Sequence, residues 1–365
     1  MPTMIYHASY PLNPDSVSAS AIRPIKMLQA FKDLGFEVLD ITGYAAERKR
    51  RFAALRKRVE AGQKIDFMYS ENATIPPSVT ERKHLPPHPF LDLEIFRFAK
   101  SRGIPSGVFY RDIYWKFEEY DQRVGQPLAA VMKLLYRAEL FTYQKYCDVI
   151  FLPSMEMGEY LPEVTKPRHE ALPPGGQIVE SSGPREGVSI FYVGGVGDHY
   201  RMHNLVRAVS EIDGAWLTIC TEASRWQAVA HEYPEAGSNG IRVVHESGEG
   251  LNKLYEDANI CSVAFEPLEY REFASPFKFY EYIGRGKPII GTKGSLTGKR
   301  IDELGIGWTT DNSVSEIKDV LVRLRDNPAE LAEVTSRCEA VRHNHSWSAR
   351  ARQIAASLTG ESGGR

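Results

Sequence analysis

Short apolar runs alternate with amphipathic stretches along the first half of the chain, and this alternation predicts a repeated strand–helix pattern. Buried strands are predicted at residues 4–8, 36–41, 65–70, 105–110 and 148–154. Helices are predicted between them, at about 22–34, 45–60, 91–102 and 127–146. A strand–helix–strand series places its strands in parallel, so ligands are expected at the carboxyl ends of the strands.

The same alternation resumes after a segment that is short of apolar residues and rich in Pro, Gly and Ser, residues 173–187, which predicts a linker. Further strands are predicted at residues 188–193, 216–220, 241–244, 260–265 and 289–291. The pattern therefore indicates an α/β protein with two doubly wound, Rossmann-like domains. Their predicted bounds are 1–172 and 188–342, followed by a helical segment at 343–365.

Composition narrows the class of protein. A chain of 365 residues is too long for one typical core, and 42% hydrophobic with 25% charged residues is ordinary for a globular protein. A net charge of −2 gives no reason to expect nucleic acid as a partner. The N-terminus lacks the features of a signal peptide and no apolar run approaches about 20 residues. We therefore expect a cytoplasmic protein, or one attached to the cytoplasmic face of the membrane.

The four cysteines, Cys147, Cys220, Cys261 and Cys338, are widely scattered along the chain. They have no CxxC or Cys/His spacing of the kind that metal sites use, and most lie in apolar surroundings. Buried free thiols are therefore expected, and no metal site is predicted.

A segment that begins at Ser275 has the features of a short helix whose N-terminus could bind a ligand. Ser275 suits the N-cap, Pro276 the first helical position, and Gly286 the left-handed position after the last turn. Lys278 falls in the first turn, where a cation is unfavourable by about 0.3–1 kcal/mol unless an anion binds there too. Glu281 lies on the same face, one turn deeper. A surface Lys–Glu pair on an ordinary helix is the alternative interpretation.

The string SPFKFYEYIGRGKPII, residues 275–290, resembles the nucleotide-sugar signature of GT-B glycosyltransferases, especially those of family 4. The resemblance implies a GT-B fold, in which two doubly wound Rossmann-like domains face each other across a cleft. It implies that Lys278 contacts the diphosphate of a nucleoside diphosphate sugar and that Glu281 bonds the ribose hydroxyls. The donor is then a co-substrate, with no further cofactor and no metal needed.

Three other segments carry the same resemblance, which covers most of residues 188–356 and is looser before Leu172. They are PPGG (173–176) where family 4 has PNGV, YVGG (192–195) where it has FVGR, and LYEDANI (254–260) where it has LYxxADV. The HSW string at 345–347 is similar to the start of the C-terminal helix that crosses back to the first domain. The helix N-terminus at Ser275 and the backbone N–H groups at Gly194–Gly197 are expected to face the diphosphate.

The chain departs from the family 4 pattern at three places. Gly195 replaces an arginine, and Arg201 is the candidate to supply the missing positive charge. The glutamate expected eight residues before Glu281 is replaced by Phe273, which leaves the donor sugar and the stereochemistry open. Glutamates that lie near Phe273 are out of register with that position: Glu266, Glu269 and Glu272. In the first loop of the chain, serines stand where paired glycines are usual: Ser16, Ser18 and Ser20.

Asp112 is the candidate catalytic carboxylate, because it follows the predicted strand 105–110 at the edge where ligands gather. Arg111 is expected to hold it ionised, and Tyr114 and Trp115 to offer a platform for a sugar ring. The Tyr-Arg-Asp string faintly resembles the base region of GT-B glucuronosyltransferases of exopolysaccharide synthesis. Asp112 deprotonates the acceptor if the enzyme inverts and only orients it if the enzyme retains. A cap on the following segment is the alternative role.

Two predicted helices in the first half of the chain are candidates for contact with a membrane. The basic helix 45–60 carries seven Lys and Arg residues between 48 and 58, which suits either a solvated face or an anionic lipid surface. The helix 127–146 is interpreted as an amphipathic core helix, with membrane insertion as the alternative.

Together these features predict a metal-independent glycosyltransferase, moving a sugar from a UDP- or GDP-linked donor to a glycan or lipid-linked acceptor in surface polysaccharide or glycoconjugate synthesis. A GT-B-fold sugar-nucleotide epimerase and a non-catalytic nucleotide-sugar-binding protein are alternatives. A Rossmann oxidoreductase is disfavoured, because Gly195 and Gly197 are not followed by the third glycine of the dinucleotide fingerprint.

Overall fold

The chain folds into two compact units. The structure, a computed structural model, describes residues 1–15, 19–85, 87–184, 187–197, 200–238, 240–267 and 275–360. Unit 1 comprises Met1–Pro173 with Trp347–Arg365, and unit 2 comprises Pro174–Ser346. Each unit contains one six-stranded sheet.

The sheet of unit 1 is parallel throughout and has the order β2-β1-β3-β4-β5-β6. Its strands are β1 (Thr3–Ala8), β2 (Glu37–Thr42), β3 (Phe67–Glu71), β4 (Ser106–Phe109), β5 (Val149–Leu152) and β6 (Arg168–Ala171). Its helices include α1 (Ala19–Asp33), α2 (Ala45–Glu60), α3 (Leu91–Ser101), α4 (Glu118–Val124) and α5 (Leu128–Tyr146). All residues of β1 and β3 are buried, as expected when helices cover both faces of a parallel sheet.

The sheet of unit 2 is also parallel and has the order β12-β11-β10-β7-β8-β9. Its strands are β7 (Val188–Val193), β8 (Ala215–Cys220), β9 (Ile241–Val244), β10 (Ile260–Val263), β11 (Ile289–Thr292) and β12 (Gly307–Thr310). Its helices are α6 (His203–Ser210), α7 (Ala223–Val229), α8 (Gly250–Glu256), α9 (Phe277–Gly284), α10 (Leu296–Leu304), α11 (Val314–Asp326) and α12 (Pro328–Val341). The strand order reverses at β7, so the topological switch point lies beside its carboxyl end.

The last helix of the chain, α13 (Trp347–Thr359), belongs to unit 1. It packs against α1, β3 and β4 through a buried face that includes Ile354 and Leu358. Ser357 Oγ donates a hydrogen bond to Glu170 Oε1 at 2.7 Å. The polypeptide therefore completes unit 1 only after unit 2 has been made.

Most of the segment predicted as a linker is packed on unit 2. The Val179 N–H donates to the carbonyl of Gly284 at 3.2 Å, and a Cβ on Gly176 would overlap the backbone of α9. Lys287, only 2% exposed, donates to the carbonyls of Ser182 and Ala258 at 3.1 and 2.7 Å. The Pro, Gly and Ser composition thus permits close backbone packing and does not mark a free connector.

The pattern of apolar positions predicted the architecture correctly and missed some of its elements. The two-domain α/β fold is confirmed, and all four cysteines are free and buried as expected. Strand β6 was missed because it has the polar sequence Arg-His-Glu-Ala, which an edge strand can carry. No helix in the described ranges is long and apolar enough to span a bilayer.

Candidate functional site

Helix α9 begins one residue later than predicted. Pro276, with φ −71° and ψ 138°, occupies the N-cap position, and Phe277 is the first helical residue. Ser275 is therefore not the cap, and its Oγ donates to the Tyr280 hydroxyl at 3.2 Å. Gly286 has φ +65°, the left-handed conformation that was predicted. Lys278 remains in the first turn, where the helix dipole favours an anion.

The Lys278 ammonium lies among three aromatic rings, which we call the aromatic cage: Tyr192, Tyr200 and Phe265. Its Nζ is 4.3, 4.1 and 5.2 Å from their respective ring centroids, within the range of a cation–π interaction. The Nζ also donates to the Tyr192 hydroxyl at 2.8 Å. Phe265 packs edge-on against both tyrosines, at centroid distances of 5.5 and 5.4 Å. The cage fixes the position of a half-buried positive charge.

The glycine loop, Gly194–Gly197, follows β7 directly beside this ammonium. Gly194 has φ +142°, and a Cβ there would lie 2.6 Å from Lys278 Nζ, so a side chain at this position would displace the charge. The Tyr192 hydroxyl donates to the Gly195 carbonyl, and the Val193 N–H donates to the Tyr282 hydroxyl at 3.3 Å. The glycine loop and α9 are therefore joined at the carboxyl end of β7. Asp198 and His199, the next two residues, lie outside the described residues.

Arg201 follows the cage residue Tyr200 and is paired with a carboxylate. Its Nη1 lies 3.7 Å from Glu266 Oε2, and its carbonyl accepts from the Glu266 N–H at 3.1 Å. His203 Nδ1 lies 3.3 Å from the other oxygen of Glu266. Part of the positive charge expected of Arg201 is thus shared with Glu266. The remaining acidic residues of this loop, Glu269 and Glu272, and also Phe273, lie outside the described residues.

Glu281 is half-buried on α9, one turn beyond Lys278. Burial raises the pKa of the Tyr255 phenol well above its ordinary value, and the negative charge of Glu281 raises it further. The contact of Glu281 with a ribose, which the resemblance implies, stays a prediction.

These residues make one arrangement that suits an anionic ligand. A cation, the N-terminus of an eight-residue helix and a glycine loop meet at the carboxyl end of β7, beside the switch point of the sheet. Ligands of doubly wound proteins bind at such a point, and backbone N–H groups with a nearby ammonium suit phosphate. Within the parts of the chain that the structure describes, no group of three or more His, Cys, Asp or Glu side chains is placed to hold a metal ion.

Asp112, the predicted base, lies after β4 in unit 1. Its Oδ1 accepts a hydrogen bond from the Tyr114 N–H at 2.7 Å, the local contact that the alternative interpretation expected. Burial raises the pKa of Asp112 above its ordinary value, although the Tyr114 and Ile113 N–H groups and the Arg111 charge oppose this. The Arg111 charge favours the ionised form, which is the direction expected of it, but burial has the larger effect on the pKa. A raised pKa makes a carboxylate a stronger base.

Two of the three neighbours expected to assist Asp112, Arg111 and Trp115, have contacts of their own with other residues. Arg111 Nη2 lies 3.7 Å from Glu71 Oε2 and donates to the Tyr10 hydroxyl at 3.1 Å. Trp115 is buried and stacked on Tyr136, with centroids 5.0 Å apart and an interplanar angle of 4°. Trp115 is therefore a core residue and cannot present a ring face to a sugar, which corrects that part of the prediction.

A buried charged cluster at this edge of unit 1 was not identified from the sequence. Arg23 Nε lies 3.3 Å from Glu71 Oε1, which also accepts from the Tyr69 hydroxyl at 2.7 Å. The Arg23 guanidinium carbon lies 3.4 Å from the Phe109 ring centroid. The sequence signal for this cluster was a carboxylate, Glu71, at the end of the buried strand β3.

Several basic side chains of helix α2 form ion pairs with carboxylates of unit 1. Arg48, only 1% exposed, is paired with the buried Asp92, and Arg51 donates to Asp40 Oδ2 at 2.6 Å. Arg58 is paired with Glu37. These pairs argue against the interpretation of the whole helix as a lipid-binding face.

Helix α5 carries an exposed apolar face, contrary to its interpretation as a core helix. Four large apolar side chains are each between 54% and 66% exposed: Leu128, Val131, Leu134 and Phe141. The exposed residues of the same helix also include Arg137 and Lys145. The opposite face is buried, so α5 carries large apolar side chains on both its buried and its exposed face.

Comparison with known proteins identifies the fold. No protein-family model matches the chain, and no curated protein matches it in sequence. Among solved structures, Anabaena HepE in complex with UDP has a TM-score of 0.63 at 10% identity, covering 99% of this chain and 100% of that chain. Sucrose-phosphate synthase from Thermosynechococcus elongatus has a TM-score of 0.61 at 14% identity, covering 98% of both chains.

A third structure, WaaG, a glycosyltransferase involved in lipopolysaccharide biosynthesis, has a TM-score of 0.53 at 12% identity and covers 99% of this chain and 100% of that chain. All three similarities extend over nearly the whole of both chains. The fold of this protein is therefore GT-B, as the resemblance predicted.

Proposed function

We propose that this protein is a glycosyltransferase, which moves a sugar from a nucleoside diphosphate sugar to a glycan or lipid-linked acceptor. The observation that carries the proposal is the Lys278 ammonium, held in the aromatic cage beside the glycine loop and the N-terminus of α9. In a GT-B fold this position is the switch point of the second sheet, where ligands bind.

The diphosphate would be the leaving group of the reaction. Its negative charge increases as the bond to the sugar breaks, so donors already fixed in place lower the barrier. In the proposal, Lys278 and the backbone N–H groups of Gly194, Gly195 and Gly197 meet this charge, and no step is assigned to a metal ion. Glu281, one turn along α9, holds the ribose, and Arg201 adds positive potential that Glu266 moderates.

The names of the similar structures indicate which donor to test first. HepE was solved with UDP and with UDP-glucose. A UDP-sugar is therefore our first choice, and a GDP-sugar the second.

The experiment is a panel of UDP- and GDP-sugars screened by thermal shift with the full-length chain. We expect one donor to raise the melting temperature, and that donor to release nucleoside diphosphate faster when a glycan or lipid-linked acceptor is added. Stabilisation by no member of either series would contradict the proposal.

Asp112 is the proposed acceptor-side carboxylate, supported by its position after β4 and by the burial that raises its pKa. If it is the base, Asp112→Asn should lower turnover by about 10²–10⁴-fold while donor affinity stays normal. If Asp112 only caps the following segment, the same substitution should lower the free energy of unfolding by about 1 kcal/mol and leave turnover per folded molecule unchanged. Donor affinity, melting temperature and turnover measured on one preparation separate the two roles.

We further propose that the acceptor is presented at an anionic membrane surface on its cytoplasmic side, during synthesis of a surface polysaccharide or glycoconjugate. The exposed apolar face of α5, with Arg137 and Lys145 on the same helix, supports this, since apolar insertion and basic side chains bind anionic lipid together. The surface of α5 replaces helix α2 as the candidate for this contact.

A further inference from the structure

The hydroxyl of Tyr192 connects two parts of the candidate site that are far apart in sequence. Tyr192 is fully buried in β7. Its hydroxyl accepts from Lys278 Nζ at 2.8 Å and donates to the carbonyl of Gly195. One oxygen atom therefore touches both the ammonium on α9 and the backbone of the glycine loop.

The arrangement answers a physical problem posed by Lys278. A lysine side chain has four rotatable bonds, and its ammonium is repelled by the positive end of its own helix. Without a partner it would sample many positions, and binding an anion would require it to be ordered first. The Tyr192 hydroxyl and the aromatic cage order it in advance.

The rings and the Tyr192 hydroxyl hold the ammonium without neutralising it. A carboxylate would neutralise the ammonium and compete with an incoming diphosphate. A phenol hydroxyl and aromatic faces attract a cation through a dipole and quadrupoles and leave its net charge unchanged. Gly194 is part of the same arrangement, since a Cβ there would lie 2.6 Å from the ammonium nitrogen and displace it.

We propose that Tyr192 is a positioning residue for the donor diphosphate, which it serves by holding the Lys278 ammonium in register with the glycine loop. The inference rests on the proposed function and adds a residue whose role in binding is exerted through Lys278.

The test is a double-mutant cycle with Tyr192→Phe and Lys278→Met, measured by calorimetry with UDP and uridine, and in parallel with GDP and guanosine. Phenylalanine keeps the ring of the cage and removes only the hydroxyl. We expect Tyr192→Phe to weaken diphosphate binding about tenfold, as for loss of a hydrogen bond to a charged group, with nucleoside affinity within about twofold of wild type. In the Lys278→Met background the same substitution should change diphosphate affinity less than about twofold.

Tyr6→Phe is the matched control. Tyr6 is also fully buried, and its hydroxyl also donates to a backbone carbonyl, that of Pro24 at 2.6 Å, but it lies in unit 1. A general loss of stability from removing a buried phenol hydroxyl would appear in both variants, whereas loss of diphosphate affinity should appear only in Tyr192→Phe.

The outcomes separate this inference from the proposed function. If Lys278→Met weakens diphosphate binding and Tyr192→Phe does not, the positioning role is wrong and the proposed function stands. If Tyr192→Phe weakens binding equally with and without Lys278, the hydroxyl acts by another route and the inference fails. If wild type binds neither diphosphate, both fail. If Tyr192→Phe does not fold, Phe265→Leu, which removes one cage ring, takes its place in the same cycle with the same expectation.

Discussion

Two kinds of ionisable side chain can be distinguished at the scale of single residues. Lys278 is half-buried and is held by rings and a hydroxyl beside the glycine loop. Arg48 and Asp92 are buried together in unit 1. Burial raises the pKa of Asp92, but Arg48 and His7 together outweigh this effect and lower the pKa to about 2. The rings and the hydroxyl hold the Lys278 ammonium without neutralising it, whereas Arg48 and Asp92 neutralise each other. The second kind contributes to folding.

Spacing along the sequence identified Lys278 and Glu281 but not the cage that surrounds Lys278. The pair is separated by one helical turn, so periodicity reveals it. Tyr192 lies 86 residues before Lys278, and their contact depends on how β7 and α9 meet in the folded sheet. Trp115 failed as a predicted sugar platform for the same reason, because its stacking partner Tyr136 is on another element. Long-range contacts of this kind have no local signal.

The buried Glu139 makes stability depend on pH. Burial raises the pKa of Glu139 from 4.5 to about 8, although hydrogen bonds from Asn72 and Tyr143 oppose the shift. Between these two pH values the folded chain binds a proton that the unfolded chain does not. This contribution is complete below pH 4.5 and is lost as the pH rises towards 8, by at most about 1.4 kcal/mol per pH unit.

Glu139→Gln should remove this pH dependence, because an amide keeps the acceptor oxygen and does not titrate. Urea unfolding measured at intervals between pH 5 and 8 should show a falling free energy of unfolding for wild type and a flatter one for the variant. Parallel profiles would show that Glu139 is ionised in the folded state.

At the scale of whole elements, the sequences of α2 and α5 predicted surroundings that differ from those in the structure. Helix α2 has seven basic residues, but several are paired inside unit 1. Helix α5 has the pattern of a core helix, yet Leu134 and Phe141 are more than half exposed. A sequence shows that a face is apolar, but only the surrounding elements show whether that face is covered.

The exposed face of α5 predicts binding to vesicles that contain anionic lipid. The double variant Leu134→Gln, Phe141→Gln should lower the partition coefficient at least about tenfold, since each methylene withdrawn from the lipid costs about 0.8 kcal/mol. Its melting temperature should change little, because both side chains are exposed. Sedimentation with vesicles measures the binding.

Two further variants serve as controls for the vesicle experiment. Trp216→Gln removes an exposed apolar residue of unit 2 and should leave binding unchanged. Arg50→Gln, Arg56→Gln neutralises two exposed residues of α2. If only the α2 variant loses vesicle binding, the lipid contact lies on α2 and the assignment to α5 is wrong.

For the molecule as a whole, the alternation of strands and helices was enough to predict two doubly wound sheets. It was not enough to predict that residues 174–184 pack on the rest of unit 2, although their composition is that of a linker. The path of α13 was anticipated only through the resemblance to family 4. No local pattern can show that a C-terminal helix belongs to the first unit, because its partners are nearly the whole chain length away.

The packing of α13 predicts where a core substitution will act. Leu358 is buried beside Gly107 and Phe151, so Leu358→Ala should destabilise unit 1 by about 2–5 kcal/mol. The exposed Arg352→Ala on the same helix should change stability by less than about 0.5 kcal/mol. Below the unfolding transition, UDP affinity should be the same in both variants, because the candidate donor site is in unit 2. Denaturation followed by tryptophan fluorescence measures the two stabilities, and calorimetry with UDP measures the two affinities. A lower UDP affinity in Leu358→Ala would contradict the expectation.

The central claim is that a nucleoside diphosphate binds at Lys278, and calorimetry of Lys278→Met with UDP and uridine tests it most directly. A charge-assisted contact of about 1.5–3 kcal/mol predicts a loss of about 10- to 150-fold for UDP and almost none for uridine, which has no phosphate. Lys293→Met is the control, because it removes an exposed ammonium of unit 2 that is paired with Glu316. Equal losses for UDP and uridine in Lys278→Met, or a loss of UDP affinity in Lys293→Met of the same size, would contradict the account.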